Sequence, residues 1–291
     1  MFNSHAVNFQ ESSKLQSIQN AMSVDVEEYF QVSAFEKIID KKDWDTCESR
    51  VVGAIEKILT IFSEANVKAT FFTLSWIAER HPILIRKIVD SGHELASHGI
   101  SHVRATQQDY DAFKQDITIS KDVLEDISGQ AVKGYRAASF SIDESNMWAI
   151  DALEEVGYKY SSSIYPVKRD CYGVPDAPRF VYKYANNELL EIPITTLPMF
   201  GKNMPLGGGG FFRLYPYTFT KWAYSKIQAK EKRGIVFYFH PWEIDADQPR
   251  QKSLDFKTRF RHYLNLGKTE VRLVKLLNDF SWNRIDKIYS I

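Results

Sequence analysis

Apolar positions along the chain alternate between two rhythms. Val51, Val52, Ile55, Ile58, Leu59 and Phe62 recur at helical spacing, and Asn66 follows where a C-terminal cap belongs, so a helix is predicted. Before it, Ala21 to Val26 is a short apolar-leaning run that reads as a strand ending in the acidic cluster Asp25, Glu27 and Glu28. After it, Val67 to Leu74 is rich in β-branched and aromatic residues and reads as a buried strand; Pro82 then opens a helix through Ile85, Ile88 and Val89, closed by Gly92. The alternation continues. His93 to His98 is strand-like, Asp109 to Ile127 carries Phe113, Ile117, Leu124 and Ile127 on one helical face, and Val132 to Ala137 precedes a helix through Trp148 and Leu153 that ends at Gly157. Tyr158 to Tyr165, Leu189 to Ile194 and Ile235 to His240 are the remaining extended candidates. Pro166 to Pro178 and Gly207 to Gly210 read as loops, the glycine run being open between a flexible connector and a stretch where backbone approaches a ligand.

Strands alternating with helices argue for a parallel sheet, and about seven such units favour a barrel over an open sheet. At 291 residues, 44% hydrophobic and 25% charged, the chain is long and apolar enough for a sizeable core. Lys plus Arg and Asp plus Glu balance at 37 each, so no overall field draws in nucleic acid or an anionic membrane, while a local patch stays open. Cys47 and Cys171 lack the spacing of a zinc or redox motif, in keeping with a reducing compartment. Residues 1–20 show no basic stretch followed by an apolar one, and no apolar run approaches the roughly 18 residues a membrane helix requires. The expectation is a cytoplasmic protein with a flexible segment 1–20, whose membrane contact, if any, is peripheral.

Chemistry concentrates where the predicted strands end. Asp25 with Glu27, His98, Arg136 and His240 each terminate a separate strand candidate, and in parallel barrels the C-terminal strand ends converge on one face. His98 and His102 stand four apart in SHGISH, a spacing that turns both imidazoles toward one point; as a bare pair they read more readily as surface or capping histidines. A nearby carboxylate makes them a two-histidine, one-carboxylate set with positions left for water and substrate. Asp25 and Glu27 lie two apart and so share one strand face, where one can bind metal and the other accept a proton. Glu28 reads as a solvated acidic end. Arg136 beside a carboxylate would hold it ionised. His240 follows the apolar run IVFYF, where a satisfied core histidine is the plain alternative, and HPWEID after it favours a loop mouth.

With those residues in place the chain resembles the polysaccharide deacetylases of the NodB-homology type, carbohydrate esterase family 4, over about residues 21 to 243: an acidic strand end, SHGxxH, RxxSF, then a strand ending in His. A narrower resemblance, to the deacetylases associated with exosortase and PEP-CTERM exopolysaccharide loci, rests on SVDVEEYFQVSAFE, GYRAASFSI, YGVPDAPRF, FYFHPWEIDADQPR and RFRHYLNLGKTE. The resemblance implies a distorted barrel of parallel strands over 21–243, with 244–291 as an extension packed on it. It implies Asp25 as catalytic base, His98 and His102 as metal ligands, Arg136 as the group orienting the base, and His240 as general acid. Members commonly carry adjacent aspartates in the first motif; Val26 stands there in this chain, so Glu27 takes the ligand role. Ala138 replaces a usual proline beside Ser139, whose backbone N–H is the expected oxyanion donor.

The expected reaction is hydrolysis of N-acetyl groups on amino sugars by a divalent ion, zinc foremost, acting on an N-acetylated glycan or its lipid-linked precursor, with no nucleic acid involved. Trp242, two residues past His240, is the best sugar-stacking candidate among aromatics that mostly serve the core. Two rivals were weighed. A cyclic-amide hydrolase on a barrel is expected to carry an HxH pair after its first strand, and DVEE has none. A non-catalytic glycan-binding protein tolerates loss of base or acid, and Asp25 and His240 are both present.

Overall fold

The computed structural model describes residues 6–8, 18–168, 172–185 and 187–291. Twelve strands run in chain order: β1 Ala6–Asn8, β2 Asn20–Val26, β3 Thr70–Thr73, β4 Glu94–Ser97, β5 Gly134–Tyr135, β6 Tyr160–Ser161, β7 Tyr182–Tyr184, β8 Leu190–Glu191, β9 Thr196–Met199, β10 Lys202–Pro205, β11 Val236–Phe239 and β12 Trp282–Asn283. Seven of them form one parallel series, β8-β6-β5-β4-β3-β2-β11, with β7 and then β1 added antiparallel beyond β8 and β12 paired to β2. Helices on the outer side connect the strands, as a parallel sheet requires. The expected distorted barrel is thus a curled parallel sheet, a half-barrel. Its open side is bridged irregularly: Gly207 N–H donates to Thr195 O at 2.9 Å and Tyr238 N–H to Gly207 O at 2.8 Å.

Several predicted elements are longer than the observed ones. Val132 to Ala137 and Tyr158 to Tyr165 contribute only the two-residue strands β5 and β6. At Gly134 a Cβ would fall 2.1 Å from the Tyr160 ring, and the absent side chain lets that ring cross to Glu94. The helices Val51–Glu64, Pro82–Asp90, Tyr110–Ser128 and Trp148–Glu155 agree with the periodicity, the third capped by the Asp109 side chain accepting from Ala112 N–H. The helix Ser75–Arg80 and the hairpin β9–β10 were not anticipated.

Three further expectations need correction. Gly209 and Gly210 are not a loop: they open the helix Gly209–Leu214. A Cβ on Gly209 would lie 2.2 Å from the Glu243 carboxylate, so glycine serves close approach of that acid and neither a hinge nor a ligand. Glu28 is buried, not solvated: it accepts from Ser49 Oγ and from the N–H groups of Arg50 and Val51, satisfying the free donors at the start of the helix Val51–Glu64. Within the segment expected to be free, Ala6–Asn8 pairs with β7, and Cys171 with part of the Pro166 to Pro178 loop lies outside the described residues.

Register is what positions the site. Val26 pairs with Thr73, Thr73 with Ser97, Ser97 with Tyr135, and Tyr135 with Ser161, one continuous row across five strands. Each residue just past that row emerges at the same end of the sheet: Glu27, His98, Arg136 and Ser162. Phe239 pairs with Val24, which sets His240 beside Asp25. On β2 the side-chain period of two sends Met22, Val24 and Val26 into the large core beneath the helices, leaving Ser23 and Asp25 on the concave face.

Candidate metal and catalytic site

Arg136 is fully buried and forms the floor. Its guanidinium donates to Asp25 Oδ1 at 2.5 Å, Ser23 Oγ at 3.0 Å, Ser162 O at 3.0 Å and Ser162 Oγ at 2.9 Å, and its flat face lies 4.0 Å above the Phe72 ring. A charge this deep is tolerated only because its donors are paired with a carboxylate and hydroxyls. Asp25 is fixed through one oxygen and turns the other, Oδ2, toward His240 Nε2 at 4.0 Å.

Glu27, His98 and His102 are all buried, and one ligating atom from each lies within 4.8 Å of the others. His98 Nδ1 lies 2.7 Å from Arg136 O, a bond that needs the proton on Nδ1 and leaves Nε2 with its lone pair. Glu27 Oε2 stands 3.1 Å from His102 Nε2 yet makes no hydrogen bond. Burial holds His102 well below its ordinary pKa and lowers that of His98, so both rings are neutral, the form that binds metal. A buried carboxylate oxygen without a hydrogen-bond donor, set beside two neutral imidazoles, is an arrangement that a bound cation satisfies. The donor set therefore fits a divalent ion, and its nitrogen and oxygen chemistry suits zinc among others.

His240 sits opposite. Burial disfavours its charge, but Glu27, Glu243 and Asp25 outweigh burial and push its pKa up to about 9. Nδ1 lies 2.8 Å from Glu243 Oε1, which leaves Nε2–H facing Glu27 Oε1 at 3.5 Å. Glu243 is itself held down to about 2: burial raises it, and Arg213 and His240 more than compensate. Arg213 Nε donates to Glu243 Oε2 at 2.6 Å, completing an arginine, glutamate, histidine relay of orientation. Burial raises Glu27 to about 7, against the pull of His240.

Trp242 does not serve as a sugar platform. One face stacks on His240 at 5.1 Å and the other on His262 at 4.2 Å, so no face is left for a ligand, while Nε1–H donates to Glu27 Oε1 at 3.3 Å. Ser139 occupies the loop after Arg136 in the left-handed region, φ 55°, as does Phe140 at φ 53°, and its hydroxyl meets Ser33 Oγ at 2.6 Å. Beside His102 a cavity of about 250 Å³ opens between Phe30, Gln31, Ile39, Lys41 and Trp44.

Every predicted strand-end residue thus reaches one site. Sequence reasoning missed Glu243, Arg213, Ser162 and Ser23. Glu243 had a readable signal, three residues after His240 on the turn Pro241–Ile244; Arg213 had none, since its tie to Glu243 exists only in three dimensions.

The chain is thus an α/β protein whose curled parallel half-barrel gathers two histidines and a carboxylate, a group that could hold a metal ion, at one end of its sheet. Residues 44–161 match the family profile of polysaccharide deacetylases, and residues 162–290 match a domain of unknown function, DUF3473. A peptidoglycan-N-acetylglucosamine deacetylase of Bacillus cereus is 32% identical over 96 residues, 33% of this chain and 35% of that protein. A chitooligosaccharide deacetylase of Rhizobium leguminosarum is 27% identical over 107 residues, 33% of this chain and 50% of that protein. The chain thus spans between a third and a half of the length of these relatives. A Mycobacterium smegmatis crystal structure whose description names the polysaccharide deacetylases has a TM-score of 0.62 at 17% identity, covering 98% of this chain and 94% of that one, a likeness of fold. The profile and the relatives together show residues 44–161 to be similar to the polysaccharide deacetylases. His98, His102 and Arg136 lie inside that stretch, Asp25 and Glu27 before it, and His240 in the second match.

Proposed function

We propose that this protein is a metal-dependent deacetylase that hydrolyses N-acetyl groups of amino sugars in a polysaccharide or its lipid-linked precursor, in exopolysaccharide biosynthesis of the exosortase-associated type. The observation that carries the reading is the convergence of Glu27, His98 and His102 beside an Asp25–Arg136 pair and a protonated His240. Relatives named for peptidoglycan and chitooligosaccharide deacetylation support an N-acetylglucosamine-type substrate, and the motif resemblance supports the exopolysaccharide setting.

Glu27, His98 and His102 would hold the ion, zinc foremost, which when bound polarises the acetyl carbonyl and acidifies water. Asp25 is the general base: Oδ2 is its free oxygen and takes the proton of the attacking water, while Arg136, itself bonded to Ser23 Oγ, orients the carboxylate through Oδ1. Attack at the carbonyl carbon forms a tetrahedral oxyanion, toward which the Ser139 N–H is the backbone donor of this loop. His240 Nε2 then protonates the departing amine as the C–N bond breaks, giving acetate and a free amino sugar; Glu243 fixes its tautomer through Nδ1. The test is acetate release from N-acetylglucosamine oligomers by metal-stripped protein, zinc- or cobalt-reloaded protein, and reloaded Asp25→Asn. Release that needs the metal and disappears in the variant is expected; release unchanged by stripping would sink the mechanism.

A further inference from the structure

The helix Phe256–Tyr263 presents an unusual face. Phe256 is 83% exposed and Phe260 49%, their rings stacked at 6.4 Å one helical turn apart. At 100° per residue Phe256 and Phe260 lie about 120° and 160° around the helix from His262, which stacks on Trp242 on the buried side and whose carbonyl accepts from Arg213 Nη1 at 2.8 Å. Lys257 and Arg261 flank the phenylalanine ridge on one side and Arg259 on the other, all exposed, with Arg250, Lys252 and Lys268 exposed nearby in sequence. Between residues 250 and 268 the one carboxylate is Asp255, and it is engaged as the helix N-cap, accepting from Thr258 N–H at 3.0 Å.

Elsewhere on the surface exposed cations meet carboxylates, as in Lys57–Glu270, Lys87–Glu56 and Lys114–Glu155. Among the described residues none of these six cations forms an ion pair with a carboxylate; Arg259 donates to Lys252 O and Arg250 lies over the Tyr263 ring. In a chain of zero net charge this is a local basic field around an outward apolar ridge. We propose that this face docks the protein on an anionic lipid surface, with Phe256 and Phe260 entering the headgroup and acyl boundary and the flanking cations meeting lipid phosphates. An acidic protein or soluble polyanion satisfies the charges but gives no reason for two exposed rings at the centre of the field. The same helix stands one ring from the candidate acid, through the stack His262, Trp242, His240, so a docked molecule holds its site mouth near the bilayer. The further consequence, that membrane-associated glycan is thereby favoured, rests on the deacetylase reading; the docking itself does not.

Co-sedimentation of the full chain with phosphatidylcholine vesicles, with and without 30 mol% phosphatidylglycerol (about a third of the lipid, enough for a negative surface potential), tests it. Binding to the anionic vesicles, weakened by salt, is expected, with little binding to neutral ones. Each cation near such a surface contributes roughly fivefold to partitioning, so Lys257→Gln with Arg261→Gln lowers it about 25-fold. Phe256→Ser with Phe260→Ser lowers it more than about tenfold while acetate release from soluble oligomers and thermal unfolding stay as in the parent, these side chains being outside both site and core. No binding to either vesicle, equal binding to both, or loss in the charge variant without loss in the phenylalanine variant overturns the proposal, the last outcome marking general polyanion capture.

Discussion

Two buried glutamates stand at opposite ends of the same parallel sheet. Glu94 opens β4 and Glu27 follows the last residue of β2; burial raises both to about 7. Their surroundings differ in one respect. Both oxygens of Glu94 are satisfied, Oε2 by Thr70 Oγ1 at 2.5 Å and Asp286 N–H at 3.2 Å, Oε1 by the Tyr160 hydroxyl at 2.8 Å. Glu27 leaves Oε2 without a donor and aimed at an imidazole nitrogen. A perturbed acid is therefore not by itself a mark of function. The mark is an unsatisfied carboxylate oxygen gathered with two imidazoles, whereas the Glu94 cluster ties the C-terminal segment to the base of the sheet.

That contrast can be broken in four places. Asp25→Asn keeps the shape around Arg136 and removes the base, so acetate release should fall at least about 100-fold, within the usual range for acid–base catalysis, with zinc stoichiometry by titration unchanged. Asp25→Ala is the poorer probe, because it strands a buried guanidinium and endangers folding by about 3–5 kcal/mol. His102→Ala removes a ligand itself and should weaken zinc binding, followed by competition with a chelator, by more than the 10- to 100-fold typical of outer-sphere partners; Glu94→Gln should leave it untouched.

Glu94→Gln should act on stability instead. A carboxyl with a raised folded pKa contributes fully below its unfolded value near 4.5 and loses that contribution as pH rises through about 7. The variant should therefore gain on the parent between pH 4.5 and 7 in urea unfolding, by on the order of 2 to 3 kcal/mol. A gain that shrinks with rising pH would mean the acid is stabilised as the anion after all. The smallest effect is expected from Trp242→Phe, which preserves the stack between His240 and His262 and deletes the donor to Glu27: zinc affinity should drop about tenfold, with acetate release at saturating metal nearly intact.

Much of this site was legible in the sequence because the parallel topology converts strand ends into neighbours. Asp25, Glu27, His98, Arg136 and His240 each follow a recognisable apolar run, and a row of backbone pairs does the rest. The illegible part is what depends on tertiary closeness. Arg213 and Glu243 are 30 residues apart and meet only because Gly209 has no side chain. Trp242 stays a stacking candidate in the sequence, behind packing as its leading role, because nothing in the chain announces that His262, on a later helix, covers its second face. Glu28 looked solvated because its partners are backbone N–H groups, which carry no sequence signature. Gly134 likewise gives no local hint that the Tyr160 ring crosses it.

The position of β2 in the sheet has a consequence for synthesis. This strand carries the proposed base, and its neighbours are β3 and β12 along one edge and β11 along the other, with Asn20 N–H bonding to Ser281 O. As the polypeptide leaves the ribosome, β2 emerges well before its last partner, Ser281 following Asn20 by 261 residues. The proposed ligands Glu27, His98 and His102 are all synthesised before His240, so on the deacetylase reading the candidate metal cluster is complete before the candidate acid exists.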